Sequence, residues 1–326
     1  MNKIKLGLPK GSLNTIGRGN TYEVFDDAGY DIKGYEPGKE QSRITIENDP
    51  EIIAFRSRPQ SAPVELSREL LDIAIIGEDW VREYSYPSVQ KIGDLEYGPV
   101  RLVVAVPDNS PYGSLSEFFM AQKGRKKPIL CFTEYVNLTR RKFMANKGYR
   151  EVFGSKKPLM VVRELSNGDN ESMQIIFSDG ATEEFIAKGA DIIVDNSQTG
   201  ESLKNYKLRE IEQIMKSSAG LYAGPSCTGW KETKANEIFE QLYGVIAGKR
   251  RFDVKFNVPN EKLESVREYL ISEKLCSDEP TVSEGRKFST INILIPRKTF
   301  PAVKRTLKKE YNASAIVRGE IKQFIE

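Results

Sequence analysis

The stretch Asp191-Ile192-Ile193-Val194-Asp195-Asn196-Ser197-Gln198-Thr199-Gly200-Glu201-Ser202-Leu203 joins a short apolar run to a polar loop. The run 191–194 predicts a buried strand, because consecutive apolar residues such as those at 192–194 are typical of strands covered on both faces. The loop then turns towards a helix. Strand, loop and helix in this order are the repeating unit of α/β folds, in which ligands bind at the carboxyl ends of the strands.

The same unit recurs on both sides of this stretch. Predicted strands lie at 4–8, 44–46, 53–55, 72–76, 101–106, 128–132, 160–163 and 173–177. Between them we predict an amphipathic segment at 12–28 and helices at 62–71, 138–147 (closed by Gly148) and 180–188. The pattern breaks at 107–111, which favours two α/β lobes that form a cleft, the architecture of periplasmic binding proteins. Lobe 1 is predicted at 1–105 with a chain return at about 206–227, and lobe 2, with the loop, at 106–205.

The last part of the chain has a different pattern. Residues 228–251 predict a connecting helix. Residues 252–326 then predict strands at 254–258, 281–283, 289–295 and 313–317, with helices at 261–272 and 300–311. This β-α-β-β-α-β order is the split ferredoxin-like motif, an α+β domain that often binds regulatory molecules or pairs subunits.

Composition limits the chemistry more than it limits the fold. The 326 residues are 39% hydrophobic and 29% charged, which is typical of a soluble globular protein. The apolar runs are too short for a membrane span, the net charge of +3 gives no nucleic-acid footprint, and three scattered cysteines fit a cytoplasmic protein. Histidine is absent, so triads, general bases and zinc sites built on histidine are excluded. The groups left for catalysis are carboxylates, Lys, Arg, backbone amides and a metal held by oxygen ligands.

The polar loop has the groups that a phosphate site needs. Thr199 and Ser202 can donate hydroxyl hydrogen bonds, and Gly200 lets the backbone approach an anion closely. Asp195 could hold ribose hydroxyls or a metal-bound water. The alternative is an ordinary strand-to-helix turn, since Thr, Gly and Ser are common in turns.

Other charged residues follow predicted strands. Arg56 and Arg58 offer two guanidinium groups suited to phosphate or pyrophosphate, and Lys10 follows the first strand; the alternative is a set of solvated surface cations. Four carboxylates could reach magnesium or substrate, or could be helix caps and surface charges. They are Glu78, Asp79, Asp108 and Glu183.

The chain resembles the long form of the ATP phosphoribosyltransferase family. The stretches that carry the resemblance are Leu8-Pro9-Lys10-Gly11, Arg56-Ser57-Arg58-Pro59-Gln60, Asp72 to Asp79, Thr133 to Leu138, Gly180-Ala181-Thr182-Glu183 and Asp195 to Leu203. They occur in the family's order, and 257–259, 280–283 and 318–321 resemble its C-terminal regulatory domain.

The resemblance implies transfer of the phosphoribosyl group of phosphoribosyl pyrophosphate (PRPP) to the adenine N1 of ATP with release of pyrophosphate, the first step of histidine biosynthesis. Lys10, Arg56 and Arg58 would be catalytic through contacts with anions. PRPP would be bound by Asp195, Gln198, Thr199, Gly200, Glu201, Ser202 and Leu203. ATP or metal would be contacted by Gly11, Glu78, Asp79, Asp108 and Glu183.

The implied cofactor is Mg²⁺, carried on the substrate pyrophosphate with Asp195 as a candidate ligand. The implied partners are ATP, PRPP, histidine or AMP as inhibitors, and further copies of this chain in a dimer or hexamer. Glu201 departs from the neutral or small residue that the family usually has beside the loop glycine. Two other readings stay open: a two-lobed solute-binding or sensor protein, and a catalytically inactive regulatory homologue.

Overall fold

The computed structural model describes residues 3–15, 20–38, 43–276 and 280–321. The described residues leave out 1–2, 16–19, 39–42, 277–279 and 322–326. These ranges include parts of the predicted segment 12–28 and of the first and last predicted domains. Within the described ranges, no helix is both long and apolar enough to cross a membrane.

The described chain alternates strands and helices over most of its length. The strands are β1 (Ile4–Pro9), β2 (Ile32–Lys33), β3 (Thr45–Ile46), β4 (Ile52–Ser57), β5 (Ile73–Gly77), β6 (Gln90–Pro107), β7 (Ile129–Thr133), β8 (Pro158–Val162), β9 (Leu165–Asn167), β10 (Asn170–Phe177), β11 (Ile192–Ser197), β12 (Leu208–Ala223), β13 (Arg251–Pro259), β14 (Thr281–Glu284), β15 (Phe288–Pro296) and β16 (Ser314–Glu320). The α-helices are α1 (Thr21–Asp27), α2 (Ala62–Ser67), α3 (Glu78–Tyr84), α4 (Leu115–Ala121), α5 (Val136–Ala145), α6 (Lys147–Phe153), α7 (Glu201–Asn205), α8 (Trp230–Lys249), α9 (Leu263–Ser272) and α10 (Phe300–Glu310). Two 3₁₀ helices lie at Thr182–Phe185 and Asn260–Lys262.

The chain divides into two compact units. The first is built from Met1–Thr21, Gly34–Thr45 and Pro50–Ala235, and the second from Tyr22–Lys33, Ile46–Asp49 and Asn236–Glu326. The predicted boundaries of the lobes and the regulatory domain stay predictions.

The first unit is an α/β structure around one sheet with the strand order β4-β1-β5-β12-β6-β11-β7-β10-β8-β9. β1 is parallel to β4 and β5, while β7 is parallel to β10 and β11. Between these two parallel groups run β6 and β12, which are antiparallel to each other and to their outer neighbours. The unit therefore has two α/β halves joined by two long shared strands, in agreement with the predicted fold class.

The register brings the carboxyl ends of the two parallel groups towards each other. β11 ends at Ser197, four residue pairs along from its pairing with Ala105 and opposite Arg101 of β6. β5 ends at Gly77, opposite Ala219 of β12. On β12, Lys216 lies opposite Arg101, only three positions before Ala219. Both groups of strand ends therefore meet near the middle of β6 and β12. Ligands of open α/β sheets bind at such strand ends, which places the candidate site at this meeting point.

The second unit contains the sheet β14-β15-β13-β16, in which every neighbouring pair is antiparallel. Alternating residues of β13 and β15, such as Val254, Phe256 and Ile293, pack with Val266 of α9 and Leu307 of α10 in one buried cluster. The order β-α-β-β-α-β with this sheet is the ferredoxin-like motif, so this part of the fold prediction is confirmed.

Apart from the helix predicted at 180–188, of which only a 3₁₀ helix at Thr182–Phe185 forms, three local predictions differ from the structure. The helix predicted at 62–71 ends at Ser67, because Glu69 just beyond it takes a left-handed backbone with φ of +61°. Gly148 does not close a helix but lies inside α6, where a Cβ would come within 2.4 Å of the Ser116 carbonyl oxygen. Its glycine is therefore required by close helix packing and not by a helix end. The third difference is β6, which begins at Gln90 and not at 101.

Candidate functional site

The ends of β1 and β4 bring the predicted cations together. These strands pair in parallel up to Pro9 and Ser57, and the Lys10 backbone N–H donates to the Ser57 carbonyl oxygen at 2.8 Å. Lys10 and Arg58 therefore leave the sheet side by side, and both side chains are exposed. Gly11 follows with φ of +102°, a left-handed conformation that glycine adopts without strain.

Arg56 lies within β4 and not beyond it, and its side chain is held by neighbours. The guanidinium packs over the ring of Tyr35 with its Cζ 5.7 Å from the ring centroid, and it donates to the Gly34 carbonyl oxygen. Tyr35 is itself buried and donates its hydroxyl to the Pro9 carbonyl oxygen at 2.6 Å. Stacking on an aromatic ring orients an arginine and lowers the entropy lost when it binds an anion. Sequence reasoning missed this role of Tyr35.

The carboxyl ends of the other parallel group, β7 and β11, carry carboxylates. Asp195 lies near the end of β11, and one of its oxygens accepts the Asn196 backbone N–H at 2.8 Å. Desolvation by the surrounding protein, and then the negative charges of Glu183 and Glu134, raises the pKa of Asp195 to about 7; the Asn196 N–H acts in the opposite direction. Without a ligand this carboxylate is thus held in an unfavourable environment, which a cation or a set of hydroxyl donors would relieve.

Glu134 is a second residue that sequence reasoning did not select. It follows β7, and it accepts the Gly180 backbone N–H at 2.8 Å and the Gln60 side-chain amide at 3.4 Å. Desolvation raises its pKa, opposed by these two hydrogen bonds. Its sequence signal is the one used for Asp195, a carboxylate directly after a buried strand.

The loop between β11 and α7 turns at a left-handed glycine. Gly200 has φ of +79°, and α7 begins at the next residue, so the first N–H groups of that helix have no partner within it. The Ser202 hydroxyl donates to a Glu183 oxygen. Gln198, Thr199 and Ser202 are exposed, whereas Leu203 is buried and anchors the loop among Val103, Ile193 and Leu208.

Glu201 is exposed to solvent at the start of α7. Water surrounds this carboxylate and weakens its repulsion of nearby anions. A cavity of about 550 Å³ adjoins the loop and is lined by Thr199, Gly200 and the predicted Asp108. Arg101 and Glu210 also line it and form two hydrogen bonds of 2.6 Å with each other.

The two predicted acidic residues of α3 are both engaged within the protein. Glu78 forms ion pairs with Arg82 and Lys91. Asp79 is buried, and its oxygens accept hydrogen bonds of 2.6 Å from the hydroxyls of Tyr135 and Ser217. Asp79 thereby ties the two halves of the unit at the meeting point of the strand ends. Ligand contact by either acid stays a prediction.

The site residues fall into two groups. Lys10, Gly11, Arg56 and Arg58 lie together at the ends of β1 and β4, and Asp195, Glu183 and the loop 198–203 lie together around the end of β11. One group supplies cations and the other supplies carboxylates and an anion-binding loop. In the sheet, β5, β12 and β6 lie between β1 and β11, so the two groups lie on opposite sides of the two long shared strands.

Comparisons with known proteins agree with this chemistry. The model of the HisG family, described as ATP phosphoribosyltransferase, matches residues 58–244, more than half of the chain. The ATP phosphoribosyltransferase of Thermodesulfovibrio yellowstonii is 29% identical over 331 residues, covering 99% of this chain and 98% of that protein. That of Pelotomaculum thermopropionicum is 29% identical over 316 residues, covering 93% and 94%. The solved ATP phosphoribosyl transferase (HisG:HisZ) complex from Thermotoga maritima has 22% identity and a TM-score of 0.52 over 75% of this chain and 98% of that one, a likeness of fold.

Proposed function

The chain belongs to the HisG family and is an ATP phosphoribosyltransferase, and from this premise we propose that the loop 198–203 binds the 5-phosphate of PRPP. The observation that carries this proposal is the left-handed Gly200 directly before α7, in the loop that follows β11 and Asp195. Backbone N–H groups at such a turn suit a phosphate, and the hydroxyls of Thr199 and Ser202 add donors. Ser202 would exchange its bond to Glu183 for one to the phosphate.

Asp195 and Glu183 are proposed to contact the ribose. Their carboxylates lie close enough to raise the pKa of Asp195, and paired acceptors suit the two vicinal hydroxyls of a ribose. Oxygen ligands of this kind also fit Mg²⁺, which would be held mainly by the substrate pyrophosphate with Asp195 nearby, and which would supply positive charge to the leaving group.

Lys10, Arg56 and Arg58 are proposed to bind the phosphates of PRPP and ATP. The fixed guanidinium of Arg56 and the exposed cations beside it can neutralise charge that builds on pyrophosphate as it leaves. The adenine N1 attacks the anomeric carbon, the bond from that carbon to pyrophosphate breaks, and positive charge develops on the ribose ring. Asp195 and Glu183 would stabilise that charge. The chemistry needs alignment and electrostatics, so a chain without histidine can perform it.

The test is a turnover assay. Purified protein with ATP, PRPP and Mg²⁺ is expected to form phosphoribosyl-ATP and pyrophosphate in equal amounts, followed by chromatography and a pyrophosphate assay. Tight binding of a solute without turnover would instead support the sensor alternative. Binding of PRPP and ATP without product, in folded protein at several metal concentrations, would support the inactive homologue.

Histidine and AMP are proposed as inhibitors, and the C-terminal ferredoxin-like domain is proposed to mediate inhibition by histidine. AMP shares the adenine and ribose phosphate of the substrates, so raising both substrates should overcome its inhibition. Histidine shares neither, and its inhibition should persist at saturating ATP and PRPP. Steady-state inhibition patterns distinguish these cases, and histidine inhibition that disappears at high PRPP would place its site in the substrate cleft.

The protein is further proposed to work in the cytoplasm, where ATP and PRPP are made, and to assemble as a homo-oligomer from dimer to hexamer. Cell fractionation tests the location. Sedimentation velocity tests the assembly, and a single monomeric species with full activity would contradict it.

A further inference from the structure

We propose that Tyr135 and Asn196 are positioning residues for PRPP, acting through Asp195 by a hydrogen-bonded chain that starts at Asp79. The inference rests on the proposed role of Asp195 in binding ribose. It adds two residues outside the loop, Tyr135 and Asn196, that set the geometry of that carboxylate without contacting the substrate themselves.

The chain of contacts is continuous. The Tyr135 hydroxyl donates to Asp79 at 2.6 Å, and the Asn196 side-chain amide donates to the Tyr135 hydroxyl oxygen at 3.3 Å. The Asn196 backbone N–H then donates to Asp195 at 2.8 Å. Asp79 is held in turn by Ser217, which accepts the Asp79 N–H at 3.0 Å and donates to its second oxygen at 2.6 Å.

The direction of these bonds is fixed by the chemistry of the groups. A hydroxyl has one hydrogen, and Tyr135 gives it to the buried carboxylate of Asp79, so the Tyr135 oxygen can only accept from its other neighbour. Asn196 must therefore present its NH₂ group and not its carbonyl to Tyr135. This selects one orientation of the amide and anchors an otherwise exposed side chain at the end of β11.

The anchor matters because Asn196 is adjacent to Asp195 and supplies its one short backbone donor. The backbone here is also held by the pairing of β11 with β6, so the side-chain anchor adds to that pairing in keeping the N–H directed at the carboxylate. The side chain of Asp195 has no salt-bridge partner among the described ion pairs, so this hydrogen bond is the contact that orients it. Tyr135 also stacks against Trp80 with ring centroids 4.4 Å apart, which limits its own movement.

The variants Tyr135→Phe and Asn196→Val each break one link, and valine suits a strand end. Each is expected to raise the KM for PRPP about fivefold to tenfold, as the loss of one hydrogen bond implies, with the KM for ATP changed less than twofold. The double variant is expected to be no worse than the more affected single variant, because both remove the same chain. Steady-state kinetics with each substrate varied in turn gives both KM values for each of the three variants.

Tyr149→Phe is the matched control. Tyr149 is also fully buried, accepts the Asn170 side-chain amide at 2.8 Å and donates to the Lys156 carbonyl oxygen at 2.8 Å, but it is not linked to Asp195. Both phenylalanine variants should lower the melting temperature by a few degrees. Only Tyr135→Phe should raise the KM for PRPP.

Two results overturn the inference. One is a KM for PRPP that rises equally in the Tyr149→Phe control, which would mean general loosening. The other is a double variant whose effect is the product of the two single effects. Asp195→Asn is measured alongside: an unchanged KM for PRPP in that variant would count against the proposed function itself, whereas a raised KM there with none in Tyr135→Phe would count against the positioning role alone.

Discussion

Asp195→Asn is expected to lower kcat/KM for PRPP by about a hundredfold or more while making the folded protein more stable at pH 8. The loss of activity follows because an amide carries no charge to stabilise a developing positive ribose ring.

In the unmodified protein, kcat/KM for PRPP should rise with pH and level off above about 7, since Asp195 must ionise and its pKa is raised to that value. Asp195→Asn should lose this dependence.

The gain in stability follows from the direction of the same shift. The pKa of Asp195 in the folded protein is about 7, above its ordinary value of 3.8, so between these two pH values the unfolded chain loses a proton that the folded protein keeps. The free energy of unfolding therefore falls as pH rises through this window and stays reduced above it. Asparagine removes that penalty, so its advantage, on the order of 1–3 kcal/mol, should appear at pH 8 and vanish near pH 4 in urea unfolding.

Asp191→Asn is the control on the same strand. Asp191 precedes β11 at its other end, where it forms an ion pair with Arg125 and accepts the Leu130 backbone N–H at 2.9 Å. Its replacement should reduce stability at pH 8 and leave kcat/KM for PRPP nearly unchanged. Equal kinetic effects of the two substitutions, or a loss of stability in Asp195→Asn at pH 8, would refute the assigned role of Asp195.

Gly200→Val is expected to raise the KM for PRPP by about a hundredfold or more. Gly200 has φ of +79°, and a branched side chain there both strains the turn and occupies the space in which the phosphate must approach the backbone. Calorimetric titration with PRPP and Mg²⁺ measures the effect directly, and the KM for ATP should change far less.

Gly124→Val separates strain from phosphate binding. Gly124 has the same φ of +79°, and a Cβ there would have nothing within 4 Å. It follows α4, away from the loop. Both variants should lose about 1–2 kcal/mol of stability for the left-handed backbone, but PRPP affinity should fall only in Gly200→Val. A similar fall in both would mean that the loop has no special part in binding.

Much of the fold could be predicted because its signals are local. Apolar runs such as 192–194 and alternating patterns such as 254–258 indicate buried strands, and the order of elements after 252 indicates the ferredoxin-like motif. Only 101–106 of the long strand β6 was predicted, and β12 was predicted as a chain return and not as a strand. Their outer parts mix polar and apolar residues, and several register shifts between them interrupt strict alternation, so their pairing depends on contacts distant in sequence.

In the candidate site, too, residues with a local sequence signal were predicted and residues joined by contacts distant in sequence were not. Asp195 and Gly200 could be selected because each follows a strand in a recognisable order, and Arg56 and Arg58 because of their motif. Tyr35 supports Arg56 from 21 positions away, and the link from Asp79 through Tyr135 to Asn196 joins residues 56 and 61 positions apart. Such contacts are decided by how the strand ends meet, which no local pattern records.

The most direct test of the central claim is a crystal structure of the protein with PRPP and Mg²⁺. The 5-phosphate is expected within hydrogen-bond distance of backbone N–H groups at 199–202, with the ribose hydroxyls beside Asp195 and the pyrophosphate facing Lys10, Arg56 and Arg58. A 5-phosphate bound instead among Lys10 and Arg58, with the loop at 199–202 free of ligand, would contradict the account.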